Sequence, residues 1–318
     1  MASFLYSQLF VKPAYPNRML NGQTVIVTGS NTGLGKEAAR HFARLGAAKV
    51  ILAVRNTKAG EAAKADIEQT TQCAAGTVEV WALDLGDHSS VRAFAARASG
   101  ELERVDVLCE NAGIATSEKR MVAGHESHLT VNVISTFLLA LLMLPKLRET
   151  AARFSVRPRL TIVSSELHAW ARFAERDEPG VLAALDASED LGERYPVSKL
   201  LEVLVVRQVA PRLRGGAVVI NLVNPGLCHS ELTREAGLGL AAMKFFLARS
   251  TEVGSRTLVA AGLAGDESHG KYMSDGVVAD QSLSAFVRSE EGDRAGKKVW
   301  KELCDMLDQI EPGVTSNI

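Results

Sequence analysis

The sequence predicts a single α/β domain built on a doubly wound parallel sheet of about seven strands with helices on both faces. Three observations predict it. From Thr24 onward, short β-rich runs alternate with longer helical patterns, the order that produces parallel strands joined by crossover helices. The first run, TVIVT, passes directly into a glycine turn, GSNTGLG, and then into a helical KEAARHFARLGA. No internal period and no Pro-, Gly- or Ser-rich linker divides the 318 residues, a length that can bury a large core.

Strands are expected at 24–28 (TVIVT), 49–54 (KVILAV), 77–83 (TVEVWAL), 105–110 (VDVLCE), 159–164 (RLTIVS), 217–223 (AVVINLV) and 270–273 (GKYM), with helices between them. This gives an N-terminal arm at 1–20, the α/β domain at 21–280 and a helical extension at 281–318, where GDRAGKKVWKELCDMLDQI has helical spacing. Two segments interrupt the alternation, Glu166 to Leu191 and Leu227 to Arg249. Long connections in compact domains usually serve function, so both are expected near a ligand.

The stretch HLTVNVISTFLLALLMLP carries no formal charge from Leu129 to Pro145 and by length alone could cross a bilayer. Asn132, Ser135 and Thr136 weaken that case, and the position of the stretch in the alternation favours a helix buried on the sheet. This helix and LLEVLVV (200–206) either bury within the chain or form a homodimer interface.

Lys and Arg number 36 against 37 Asp and Glu, a formal net charge of -1, so nothing points to nucleic acid or an anionic membrane. Cys73, Cys109, Cys228 and Cys304 lack metal-ligand spacing, which fits a reducing, cytoplasmic setting and no metal site. The N-terminal MASFLYSQLFVKPAYPNRM has no basic region before its apolar run, so no secretory signal and no transmembrane span are expected.

Gly29, Gly33 and Gly35, with Asn31, Thr32 and Leu34 between them, allow tight turning and close approach of a pyrophosphate to backbone N–H groups at a helix N-terminus. The spacing is GxxxGxG, and an ordinary strand-to-helix turn is the alternative. Its place in the first unit of the alternation favours a dinucleotide. An acid ending the second strand would bind adenosine ribose hydroxyls and repel a 2′-phosphate. Here Val54 is followed by Arg55. Arginine pairs with phosphate, which favours NADP(H); a solvated surface arginine is the alternative.

Tyr195 and Lys199 in RYPVSKLL stand four apart, on one face of a helix. Such a pair also arises by chance. As chemistry, it meets a requirement of hydride transfer to a carbonyl, a proton donor beside the oxygen. A free tyrosine holds its proton too tightly for that work near neutrality, and a neighbouring ammonium favours the phenolate. Pro196 is tolerated in a first helical turn, so the helix is expected to begin a few residues before it.

With these residues in place, TGSNTGLG resembles the cofactor signature of the short-chain dehydrogenase/reductase family, and the likeness runs from Asn21 to Met273. The resemblance implies a Rossmann-type fold and a set of roles. Asp84, next to Leu85, would accept from the adenine amino group; a helix cap is the alternative, for which Asp87 or Ser89 is better placed. Asn111, Ala112 and Gly113 would line the cofactor cleft, with Glu110 standing where the family commonly has Asn. Asn132 would hold a water between its helix backbone and Lys199. Ser165, or Ser164 as the alternative, would hydrogen-bond the substrate oxygen, and Tyr195 and Lys199 would serve both catalysis and the cofactor ribose. Pro225, Gly226, the backbone of Leu227 and the hydroxyl of Ser230 would hold the nicotinamide carboxamide.

His229 is expected to be a lid residue, and His125 with His128 a polar helix face rather than a metal site. The implied activity is an NADP(H)-dependent oxidoreductase interconverting a ketone or aldehyde with an alcohol on a hydrophobic small molecule. The likeness is strongest to the retinol-dehydrogenase-like branch and to fungal reductases that tailor polyketides or terpenoids. GLGLAAMKFFLA would then form an apolar lid or a core helix. Redox-neutral isomerisation or cyclisation and a non-catalytic NADP(H)-binding scaffold are the other readings.

Overall fold

A computed structural model of the chain describes residues 2–229 and 247–318. In chain order its first half contains α1 (Ala2–Phe10), β1 (Thr24–Thr28), α2 (Gly33–Arg44), β2 (Lys49–Val54), α3 (Thr57–Thr71), β3 (Val78–Ala82), α4 (His88–Glu101) and β4 (Val107–Glu110). A hairpin of β5 (Met121–Val122) and β6 (His125–Glu126) leads to a π-helical turn (Leu129–Ile134) that runs into α5 (Ser135–Phe154). Then follow β7 (Arg159–Val163), α6 (Val181–Ala187), α7 (Leu191–Val209), β8 (Val219–Asn224), α8 (Thr251–Gly262), β9 (Tyr272–Ser274), β10 (Val277–Val278) and α9 (Glu290–Ile310).

The main sheet has the order β10-β9-β8-β7-β4-β1-β2-β3. Every pairing in it is parallel except β9 with β10. Eight strands stand where seven were expected because the GKYM strand turns back at Asp275 and Gly276, both at positive φ (56° and 84°), the backbone of a tight hairpin. The central strands β1, β4 and β8 are buried at every residue, as strands covered on both faces must be, which explains their continuous apolar runs. One core lies between the sheet and α4, α5, α7 and α9; the other lies between the sheet and α2, α3 and α8.

The apolar stretch is the one helix, among the described residues, long and apolar enough to cross a membrane, and 83% of its most apolar window is buried inside the protein. It packs on the sheet as expected of a core helix. The LLEVLVV face of α7 is buried as well, with α9 packed along that helix. Both faces considered for a dimer are therefore filled by the chain's own elements.

Two local findings differ from expectation. The helix α7 begins at Leu191, so Pro196 falls in its second turn rather than its first. The missing N–H would have bonded the carbonyl of Gly192, four residues back; Gly192 is exposed, so water can serve that carbonyl and the break is tolerated. The second is α1, a helix where only an arm was expected. The Gln8 side chain accepts from the N–H of Leu227 (3.1 Å) and donates to the carbonyls of Leu227 (2.9 Å) and Leu247 (3.0 Å). Phe4 packs edge-on against Trp170, ring centroids 6.1 Å apart, so the arm lies over the exit of β8 and the segment after β7.

Sequential strands run outward from β1 through β2 and β3, then jump back to β4 on its other side. The crevice above the carboxyl ends of β1 and β4 is the switch point at which open α/β sheets bind ligands.

Candidate active site

The turn after β1 is shaped by its glycines. Gly29 has φ +64°, and a Cβ there would lie 2.9 Å from the Ala112 Cα. At Gly35 a Cβ would meet Asn111 Nδ2 at 2.5 Å and the Gly29 carbonyl at 2.7 Å. Asn111 Nδ2 donates to the Thr28 carbonyl (2.8 Å), and the Ala112 N–H donates to Thr28 Oγ1 (2.9 Å). The NAG element thus ties the end of β4 to the end of β1. Thr32, at the N-cap of α2, makes no side-chain cap bond, which leaves the first N–H groups of the helix turned to the crevice, the arrangement that binds a pyrophosphate. These residues fit a dinucleotide.

Arg55 is exposed at the end of β2, with no side-chain hydrogen bond or ion pair among the described residues. Asp84 is partly buried and accepts from the Gly86 N–H (2.8 Å), while Asp87 caps α4 by accepting from Ser89 N (2.8 Å). Asp84 is therefore not the cap. Leu85 is buried in the core.

The end of β7 sorts the two serines. Alternation along the chain sends Ser164 inward, where it is buried and its hydroxyl donates to the Lys199 carbonyl at 3.2 Å. Ser165 faces the cleft, accepts from Leu167 N (3.2 Å) and lies near enough to the Tyr195 hydroxyl to pull its proton affinity down. Of the two candidates, Ser165 is the one placed beside Tyr195. Behind it the buried His168 bonds the Ser165 carbonyl through Nδ1 (2.7 Å) and packs on Tyr272 at 4.9 Å, with burial holding it below the usual histidine range.

Tyr195 and Lys199 share one face of α7. Lys199 Nζ lies 5.8 Å from the Tyr195 ring centroid and donates to the Val163 carbonyl (2.9 Å) and to Glu202 Oε1 (2.7 Å). Gly113 forms the floor: a Cβ there would stand 3.2 Å from Asn132 Oδ1 and 3.6 Å from Lys199 Nζ. Asn132 sits in the π-helical turn, a form frequent at functional sites. Its side chain accepts from Ile114 N (2.9 Å) and donates to the Ile114 carbonyl (3.0 Å) and Ser198 Oγ (2.9 Å). Asn111, Gly113, Asn132, Ser165, Tyr195 and Lys199 therefore converge on the switch-point crevice.

The electrostatics differ from the sequence expectation in one respect. The Tyr195 phenol is pushed up, not down: burial raises it, Lys199 pulls it down, and Glu202 raises it again. The expectation counted the ammonium and omitted the burial and the carboxylate against it. A glutamate three residues after the lysine, inside LLEVLVV, was the signal available, since an i,i+3 partner lies on the same helix face. Glu110, Gln8 and His168 were likewise not assigned functional positions.

The remaining candidates are placed as follows. The Leu227 backbone groups expected to meet a carboxamide are engaged by the amide of Gln8, a group of the same chemistry. Pro225 is buried and Gly226 has φ +77°. Ser230 and the GLGLAAMKFFLA segment lie outside the described residues. His229 is exposed. His125 and His128 do not form a polar helix face: His125 pairs with Asp186 (2.6 Å), and the buried His128 pairs with Glu126 (2.9 Å) and accepts from Thr116 N.

A family model, short chain dehydrogenase, matches residues 23–153. The short chain dehydrogenase/reductase dmxR8 of Cryptosporiopsis sp. (strain 8999) is 51% identical over 323 residues, covering 99% of each chain. The chain belongs to the short-chain dehydrogenase/reductase family. Another member, the short-chain dehydrogenase anuD of Penicillium roqueforti (strain FM164), is 43% identical over 98% of this chain and 84% of its own length. Among solved structures, the active-site complex of RhlG with NADP from Pseudomonas aeruginosa superposes with a TM-score of 0.63 at 23% identity, over 82% of this chain and 97% of that one. That likeness shows the Rossmann fold. As a short-chain dehydrogenase/reductase, the chain is an oxidoreductase acting on CH–OH and C=O groups.

Proposed function

We propose that the chain is an NADP(H)-dependent reductase that converts a ketone or aldehyde on a bulky apolar small molecule to the alcohol, in fungal secondary-metabolite biosynthesis of the polyketide or terpenoid kind. The observation that carries this reading is the meeting of Ser165, Tyr195 and Lys199 at the switch-point crevice. A bound nicotinamide dinucleotide supplies the hydride. Ser165 and the Tyr195 hydroxyl hold the carbonyl oxygen, and Tyr195 gives it the proton as negative charge develops there. Lys199 stabilises the phenolate that remains. The exposed Arg55, unpaired among the described residues and following Val54 rather than an acid, supports the 2′-phosphate form. The half-exposed Trp170, packed on Phe4, supports an apolar substrate. The fungal relatives support the metabolic setting.

The test is incubation with NADPH and a panel of aromatic and terpenoid ketones. NADPH absorbance falls with the wild type and not with Tyr195→Phe; tight NADPH binding without turnover on any ketone would count against a reductase. Arg55→Asp is expected to lower the preference for NADPH over NADH by about 10- to 100-fold, the value of a charge-assisted contact. Measuring kcat/KM with both cofactors checks it, and an unchanged ratio removes Arg55 from the 2′-phosphate site.

A further inference from the structure

Two buried carboxyls beside the active site have no part in the chemistry above. Glu202 is 1% exposed and Glu110 is 3% exposed. Period-2 alternation on β4 places Glu110 on the face of Leu108, toward the core that includes Leu200 and Val203 of α7. Glu202, on α7, gives Oε1 to Lys199, but its Oε2 and both oxygens of Glu110 have no hydrogen-bond partner among the described residues. Three buried acceptors without donors are costly. A carboxyl that keeps its proton supplies a donor as well as an acceptor, and like charges close together in a dry interior cannot both persist.

We propose that Glu202 is a positioning residue for Lys199 and that, with Glu110 behind it, it forms a buried carboxyl pair that holds one proton and sets how much of the Lys199 charge reaches Tyr195. The directions agree. Burial pushes Glu110 well above the usual carboxyl range, and the charge of Glu202 pushes it further. Burial also raises Glu202, to about 7, against the pull of Lys199 and Ser164. When Glu202 is ionised, its charge offsets the ammonium and Tyr195 keeps its proton; when it is protonated, Tyr195 meets the ammonium uncompensated. The groups facing the pair are Lys199 and Tyr195 from α7 and Ser164 from the end of β7, with Cys109 next to Glu110 in the chain but on the opposite face of β4. Cys109, raised to about 12 by burial, stays neutral throughout.

The inference rests on the oxidoreductase reading only for its consequence in turnover, so its test uses neither cofactor nor substrate. The protein, labelled with ¹³C at the tyrosine ring and the glutamate carboxyl, is titrated by NMR, with Tyr195→Phe assigning the Tyr195 signal among the four tyrosines. The Glu202→Gln variant is expected to move the Tyr195 midpoint to lower pH. The same variant is expected to move the Glu110 step to lower pH, because Glu110 then loses the charge that raises it, and Glu110→Gln is expected to leave the Tyr195 midpoint in place. A Tyr195 midpoint in Glu202→Gln equal to or above that of the wild type overturns the proposal, as does a Glu110 step unmoved in that variant. Should Glu202→Gln fail to fold, the Glu110→Gln titration decides: loss of the highest glutamate step with the Tyr195 midpoint in place supports the pair, and an unchanged set of glutamate steps overturns it. A protein that titrates as expected but reduces no ketone would overturn the reductase reading and leave this pair standing.

Discussion

Tyr195→Phe is expected to lower turnover by about 10²- to 10⁴-fold, the contribution of a positioned general acid, while leaving the fold and cofactor affinity in place. The substitution removes one oxygen and keeps the ring on which Lys199 and the cleft wall pack. The hydroxyl lies beside Ser165, and loss of at most one hydrogen bond costs about 1 kcal/mol of stability. The glycine turn and Asn111 lie on other elements and do not move. Steady-state kinetics with NADPH, beside a binding isotherm for the cofactor, separates the two quantities. A variant that binds NADPH normally and turns over within a few fold of the wild type would show that the proton comes from elsewhere.

The second large effect is on stability. Lys199→Met removes the only cation bonded to Glu202 among the described residues, and breaking a buried ion pair from one side costs about 3–5 kcal/mol. The stranded carboxyl escapes by taking a proton. Glu202 is already raised to about 7 by burial, and without Lys199 it rises further. The sign follows. The unfolded chain releases this proton near the ordinary glutamate value, and the folded variant retains it to higher pH. Stability is therefore fullest below about pH 4.5 and is lost as pH rises, at roughly 1.4 kcal/mol per unit. Denaturant melts of the variant should run parallel to the wild type below about pH 7, where Glu202 keeps its proton in both, and separate from it above that pH, and adding Glu202→Gln should restore most of the difference. A deficit independent of pH would mean that packing, not charge, is lost.

The fold was legible because its signals are local and repeated. All seven expected strands form the sheet, since fully buried parallel strands leave continuous apolar runs between helical patterns. The eighth, Val277–Val278, is two residues long and has no periodicity to detect. The helix α1 was missed because its ordering comes from Gln8 reaching Leu227, 219 residues away in sequence, and no local pattern encodes such a contact. The site was legible where residue type and spacing coincide, at the glycine turn, Asn111 to Gly113 and the Tyr195–Lys199 pair. Charge balance was legible only in part, through Glu202 three residues after the lysine. The sequence shows that a lysine stands four residues after a tyrosine, but Glu110, on another element, joins Glu202 only once β4 and α7 are packed together. Pro196 illustrates the same limit, because its tolerance in a second turn depends on the exposure of Gly192.

The most direct test of the central claim, that the Lys199 ammonium governs the proton of Tyr195 during carbonyl reduction, is the pH dependence of kcat/KM for Lys199→Met with bound NADPH verified separately. Reduction needs the phenol protonated, so the wild-type rate falls as pH rises through the Tyr195 midpoint. Without the ammonium, Tyr195 holds its proton more tightly and is a weaker donor. The predicted result is a lower rate at every pH with the alkaline limb displaced upward; a profile that superposes on the wild type in height and position would contradict the account.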